Sequence, residues 1–446
     1  MKRGNGGPVP STANDDDAAT ALHRLRVVAL GEGVAPVFAG RWLAAFGADV
    51  TAVEPVVGHW LRRYSPTGGT WQGPMGPLGT FLYAGASVIA LDADREQDRA
   101  ALSDLLAGAD ILLHDLTEDG LARWGLEERA PWADLPALIQ VALTPFGTDG
   151  PYAGYAATSI VSLALGGYQF LTGEPGREPL MLPGFQPEYL TALYGVIAAL
   201  AGVSRRHEEG SGCAVEISAM EALASLHQFT TSQWLYEGGI RTRHGNRWEN
   251  LYPITMLPCR DGYITLSMPG PEMWERLCLM IERPDLPDDP RFATPALRHQ
   301  NADALDAILL DWLNDRNMDE LFRMAQEQWR LPVNPYYELD AVLRDPHYSA
   351  RGFWVRSGGD DAGILHPGLP VVMSETAWRL QAGRPNPPAP FPRKEGGAWS
   401  VTTRNDPDRR GPRPSSRSSA VWRGTPFPAR EGGAVSAANR VRSTTP

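Results

Sequence analysis

The chain has 446 residues, 43% of them hydrophobic with 14 Trp, and a formal net charge of −11 at pH 7. That length exceeds the roughly 250 to 300 residues at which a single core stops growing, so two domains with terminal extras are expected. The negative balance argues against a general nucleic-acid binder, and no stretch approaches the ~18 apolar residues of a membrane span, so neither nucleic acid nor membrane is an expected partner.

Residues 1–22 are rich in Gly, Pro, Asp and Ala without periodicity or an apolar signal core, and read as a disordered leader. "LRVVAL" then reads as a buried strand, "VFAGRWLAAFG" as a helix stopped by Gly47, and "ADVTAVE" as a second strand. "SVIALD", "DILLHD" and "PALIQVALTPFG" continue as strands, with "DRAALSDLLAGA" as a helix between the first two. Strands alternating with helices imply a doubly wound parallel sheet, hence an α/β protein.

After Gly150 the chain turns helical. "TSIVSLALGGYQFL" reads as an apolar helix or helix end, and a longer helix spans 187–207, with Pro187 and Glu188 at its start and Arg205, Arg206 and His207 at its end. The stripe Leu190, Leu193, Tyr194, Ile197, Leu200 and Ala201 is expected to face a core. "AVEISAMEALASLHQFTTSQWL" reads as a strand running into a helix, and "MLPCRDGYITLSM" as a hairpin-like pair of strands turning at Asp261 and Gly262. The helical runs that follow suggest a smaller α+β domain, from which "AVLRDPHYSARGFWV" leads back to the first. The boundaries are a large domain over 23–225, a small domain with linkers over 226–335, a return over 336–383, and a Pro/Arg/Ser-rich disordered tail over 384–446.

Cys213, Cys259 and Cys278 show no metal-ligand or disulfide spacing, which fits a reducing cytoplasm and no metal site. "GEGVAP", with Glu54 ending the next strand, resembles the opening of a dinucleotide fingerprint, but Pro36 stands where the third glycine is needed for close packing. Walker, HExxH and GxSxG motifs are absent, so phosphoryl transfer, zincin and serine-hydrolase chemistry have no local support. His114 closes a strand where loops face ligands in this architecture, although a lone strand-end histidine is more often structural.

Beyond these local signals, eight segments occur in a telling order: "FAGRWLAAFGADVTAVEP", "SVIALD", "GADILLHDLTEDGLARWGL", "LTPFGTDGPYAGY", "GVIAALAGVSRRHEEGSGCAVEISAMEAL", "RHGNRWENLYPITMLPCRDGYITL", "DLPDDPRFATPALRHQNADAL" and "VLRDPHYSARGF". Over about residues 24–380 the chain thereby resembles family III CoA-transferases, the formyl-CoA and carnitine CoA-transferase family that includes α-methylacyl-CoA racemase. The resemblance implies a Rossmann-like large domain from both chain ends, a smaller domain between them, and two interlocked protomers. It also implies a CoA thioester as substrate, with no bound cofactor, and a small carboxylic acid as acceptor.

In that family an aspartate at the start of the helix matching 187–207 attacks the acyl thioester. Carried onto this chain, its place follows Gly184 and holds Phe185, with Gln186 next. The nearest carboxylate is Glu188, three residues on, or about 4.5 Å along a helix axis. Glu188 also suits the helix dipole, so it reads either as the substitute nucleophile or as a helix-end acid. The racemase histidine would fall at Thr158 or Ser159. The resemblance further implies a CoA cleft lined by Arg123, Val34 and Asp115, with Arg62 and Arg63 as nearby cations, while Pro55, Gly85 and Ala86 replace residues that often carry the family's CoA contacts. The functions in play are CoA transfer to a small organic acid, a silent scaffold subunit paired with an aspartate-bearing paralogue, and acyl-CoA racemisation.

Overall fold

A continuous apolar strand such as RVVAL can be satisfied only when both faces of its sheet are covered. In the computed structural model, which describes residues 20–65, 68, 70–126, 135–356 and 364–380, that is the arrangement adopted. The tail expected over 384–446 lies outside the described residues, as does the leader except for 20–22, where Leu22 packs against the core and donates its N–H to Phe46 O at 2.9 Å.

Six strands form one parallel sheet: β1 (Arg26–Leu30), β2 (Asp49–Pro55), β3 (Ala86–Leu91), β4 (Ile111–His114), β5 (Ile139–Thr144) and β6 (Ala214–Ser218). Their order is β3-β2-β1-β4-β5-β6, a doubly wound sheet whose direction of winding reverses between β1 and β4. Alternate side chains serve the two faces. Val27, Ala29, Ile111 and Leu113 join one core, with helix α1 (Val34–Ala45), while Val28, Leu30 and Leu112 join the other, beneath helix α3 (Glu96–Ala107). Helix α2 (Pro77–Leu82) adds Leu82 to the first core, and α4 (Glu118–Arg123) follows β4.

Beyond β5 come α5 (Ser159–Leu165), α6 (Tyr168–Leu171) and the long α7 (Gln186–Glu209). Four expectations need correction. The apolar helix or helix end expected over 158–171 is two helices, because Gly166 and Gly167 separate them, Gly167 with φ 84°. The strand-to-helix run from Ala214 is likewise interrupted between Ala224 and Gln228, and the hairpin turns one residue earlier, at Arg260 and Asp261, with Gly262 already paired to Cys259.

The fourth correction concerns the buried face of α7. Pro187, Thr191, Ala192, Gly195, Val196, Ala199 and Gly202 are buried, while Ile197 from the expected stripe is 66% exposed. The reason is distance: α7 lies so close to the sheet that a Cβ on Gly195 would come within 2.5 Å of Leu143, and one on Gly202 within 2.9 Å of Ile139.

A three-stranded antiparallel sheet, β7 (Ile254–Cys259), β8 (Gly262–Ser267) and β9 (Val333–Pro335), carries a third core with the helices Pro271–Met280 and Ala302–Leu313. Arg298, 2% exposed, ties it together by donating Nε to Tyr252 O at 2.7 Å and Nη1 to Phe292 O at 2.9 Å. The chain then returns to the large sheet through the hairpin β10 (Trp354–Arg356) and β11 (Leu365–Pro367). Buried Arg41 of α1 donates to Pro367 O at 2.6 Å, and Arg379 N reaches Ala45 O at 2.8 Å.

Candidate active site

In a doubly wound sheet, ligands gather at the carboxyl ends of the strands where the order reverses, here after β1 and β4. Gly31, Glu32 and Gly33 leave β1, and the N–H groups opening α1 point toward Asp115, the residue after β4. The Asp115 carboxylate accepts from Glu32 N at 3.0 Å and Gly33 N at 2.7 Å. It lies so close that a Cβ on Gly31 or Gly33 would collide with it. Burial pushes this carboxyl up to about 6, against the two N–H donors, which favour its charged form. The helix start that would hold a dinucleotide pyrophosphate is thus filled by a protein carboxylate, and Val34 beside it is buried.

The neighbouring strand ends are also internally matched. His114 is fully buried with Nε2 at 2.8 Å from Gln140 Nε2, and burial pushes its imidazole down to about 4. Glu54, closing β2, accepts from Arg62 Nε at 2.6 Å, both side chains being buried. Arg123, at the end of α4, grips Asp94 with Nε at 2.8 Å and Nη2 at 2.5 Å on the surface. A cavity of about 400 Å³ opens beside Arg62 and Arg63, between His59 and the loop carrying Trp71.

The head of α7 has a different character. Phe185 is its N-cap residue, without a side-chain cap, and its ring meets Tyr64 at 5.5 Å, Trp60 at 5.9 Å and Tyr189 at 6.4 Å between centroids. One turn in, Glu188 turns toward α5, where Ser159 Oγ donates to its Oε1 at 2.7 Å. Its Oε2 is buried with no hydrogen-bond partner. A carboxylate oxygen in that state is costly unless the site uses it, because such a group ordinarily takes an N–H, hydroxyl or water. Burial, with the Glu188 and Tyr64 charges beside it, raises the Tyr189 hydroxyl above its ordinary range, so it stays a protonated donor.

Sequence reasoning singled out Glu188 and Phe185 but missed Ser159 as a partner of Glu188. Twenty-nine residues separate the two along the chain, and only the packing of α5 on α7 joins them. The rings of Trp60 and Tyr64 were missed for the same reason: they sit in the loop after β2, which has no periodicity. A second cavity, of about 300 Å³, lies between Tyr168, His227 and Phe229 on one side and Arg241 and Trp248 on the other. There Arg241 is matched by Glu249 at 3.2 Å. The three cysteines are free, and among the described residues no cluster of His, Cys, Asp and Glu could hold a metal ion. No helix among them is long and apolar enough to cross a membrane.

Comparison with known proteins gives this geometry a context. Residues 22–388 match the model of CoA-transferase family III. The succinyl-CoA–D-citramalate CoA-transferase of Chloroflexus aurantiacus is 29% identical over 342 residues, 74% of this chain and 82% of that one. The succinate–glutarate CoA-transferase of Agrobacterium fabrum is 27% identical over 372 residues, 82% and 92% of the two chains. A crystal structure of a CAIB/BAIF family protein from Brucella suis superposes with a TM-score of 0.73 at 28% identity, covering 82% of this chain and 96% of that one.

Proposed function

Because the chain belongs to CoA-transferase family III, we propose that it moves CoA from an acyl-CoA thioester to a small carboxylic acid. The observation that carries this reading is the family match over residues 22–388, which spans both the parallel sheet and the smaller antiparallel one. The relatives above are named for succinyl-CoA with citramalate and for succinate with glutarate, so the acids we assign are short dicarboxylates.

Glu188 supplies the nucleophile, in place of an aspartate at Phe185. Its free oxygen attacks the thioester carbonyl and expels CoA thiolate, leaving a mixed anhydride on the side chain. The thiolate then attacks the Glu188 carbonyl carbon, releasing the donor acid and forming an enzyme-bound thioester. The acceptor carboxylate attacks that carbon in turn and expels the thiolate, which takes the new acyl group and restores the Glu188 carboxylate. Protons balance without a general acid. Ser159 fixes one oxygen and leaves the other to react, and the rings of Phe185, Tyr64 and Trp60 stand against the water that would hydrolyse the anhydride.

CoA contacts come from the strand ends around Val34, Asp115 and Arg123, with Arg123 exchanging its Asp94 partner for a phosphate. The protein works in the cytoplasm as an assembly of at least two chains, either a second copy or an aspartate-bearing paralogue. Incubation with succinyl-CoA and glutarate, followed by chromatography of the CoA esters, tests the reading. Glutaryl-CoA should form, and Glu188→Gln should lower its rate by on the order of 10⁴-fold. Formation of free CoA alone, or full activity in the variant, would refute it.

A further inference from the structure

Arg41 of α1 is 1% exposed, yet no carboxylate among the described residues pairs with it. Its Nε and Nη1 are buried without hydrogen-bond partners. Its Nη2 donates to Pro367 O at 2.6 Å and stands 3.4 Å from Nδ1 of His366, itself 5% exposed. A buried cation without a counter-charge is costly, and burial pushes this guanidinium down to about 10. The neighbouring elements bring no anion. Arg41 Cζ lies 4.4 Å from the centre of the Phe81 ring of α2, and that ring lies 6.2 Å from the imidazole of His366. On β10 the residue opposite His366 is Val355, and Arg356 beside it is exposed and points to the other face of the hairpin. Arg41 is therefore the charged group that faces His366.

We infer that Arg41 and His366 form an acid-sensitive latch, which holds the hairpin of β10 and β11 and residues 368–380 on α1 at neutral pH and releases them when His366 takes a proton. A neutral imidazole can accept from Arg41 through Nδ1, whereas the charged ring carries an N–H there and can only donate. The acceptor beside it, Pro367 O at 3.3 Å, is already held by Arg41. Protonation thus replaces a hydrogen bond by two buried cations facing each other without an anion. What the latch holds is poorly stable alone, since a two-stranded hairpin is marginal in water. Its other ties to the large domain include buried Leu369 and the bond from Arg379 N to Ala45 O at 2.8 Å. Burial, with the Arg41 charge, lowers His366 below its ordinary 6.5, against the Pro367 carbonyl, which favours the charged form. The docked hairpin excludes a proton that the released one binds, so docking is complete above pH 6.5 and weakens as pH falls below it. The latch is independent of the reaction assigned above.

Hydrogen–deuterium exchange of the full-length protein at pH 7.5 and 5.5, corrected for the intrinsic exchange rate, reads the latch directly. The amides of Gly368 and Arg379 donate to Phe353 O and Ala45 O. Their protection should fall about fivefold to tenfold at the lower pH, beyond any change in β1 and β4. His366→Gln stays neutral and can still accept from Arg41, so it should abolish that extra fall. Arg41→Met removes the facing charge and should abolish only part of it, because burial alone still disfavours a charged imidazole. Equal protection at the two pH values in the wild type, or a fall that His366→Gln leaves intact, would overturn the inference. Should His366→Gln lose the wild-type circular dichroism spectrum, Arg41→Met decides, and an undiminished fall in that variant would overturn it.

Discussion

Glu188 sits in the first turn of a 24-residue helix, a place where an acid is common simply because the free N–H groups favour it. What supports its proposed role as nucleophile over that of a helix-end acid is its orientation: one oxygen is held by a serine of another helix and the other is buried without a partner. The acid itself was legible in the sequence, but its orientation was not, because Ser159 belongs to a separate element. Two histidines give a second test at this scale. His59 and His114 are both pushed down to about 4 by burial, below the usual value near 6.5. Between those values the unfolded chain holds protons that the folded chain does not, so stability rises with pH across that window and is lost as pH falls. Each histidine contributes about 1.4 kcal/mol per pH unit there. Asp115, held up at about 6, works in the opposite sense between 3.8 and 6, offsetting one of the two. In urea unfolding followed from pH 4 to 6, His114→Asn should therefore flatten the stability profile by about one proton relative to wild type. An unchanged slope would show that His114 is not buried neutral.

At the scale of elements, α7 shows why periodicity identified the helix yet mistook its face. A hydrophobicity pattern rewards Leu, Ile and Tyr, and so favoured the stripe through Ile197. The sheet instead receives Thr191, Ala192, Gly195, Ala199 and Gly202, because small residues let the helix approach most closely. Thr191 satisfies its hydroxyl within the helix, donating to Pro187 O at 2.7 Å, which lets a polar residue lie on the buried side. Helix α1 teaches a related lesson. Its glycine-rich start suggested a phosphate cradle, but the carboxylate of Asp115 completes it from 82 residues away. A local motif could not distinguish an anion supplied by a ligand from one supplied by the chain itself.

Across the whole molecule, the parallel sheet was the most legible feature, since strands covered on both faces must be apolar throughout and their order follows from alternating helices. The loop after β2, which brings Arg63, Trp71 and the aromatic neighbours of Phe185 together, carried no pattern and emerged only with the fold. Between Leu226 and Ile240 the chain exposes Phe229, Trp234, Leu235 and Tyr236, the last at 89%. So much exposed aromatic surface is expected to be covered by another chain. Light scattering should give about twice the 48.6 kDa chain mass, and a monomer would contradict assembly from this chain alone. The most direct test of the account is to incubate the full protein with succinyl-CoA, quench with borohydride and map the modified peptide by mass spectrometry. Reduction of an enzyme-bound thioester at Glu188, dependent on succinyl-CoA and absent from Glu188→Gln, is the predicted result. CoA transfer with Glu188 unmodified, or with the label on another carboxylate, would contradict it.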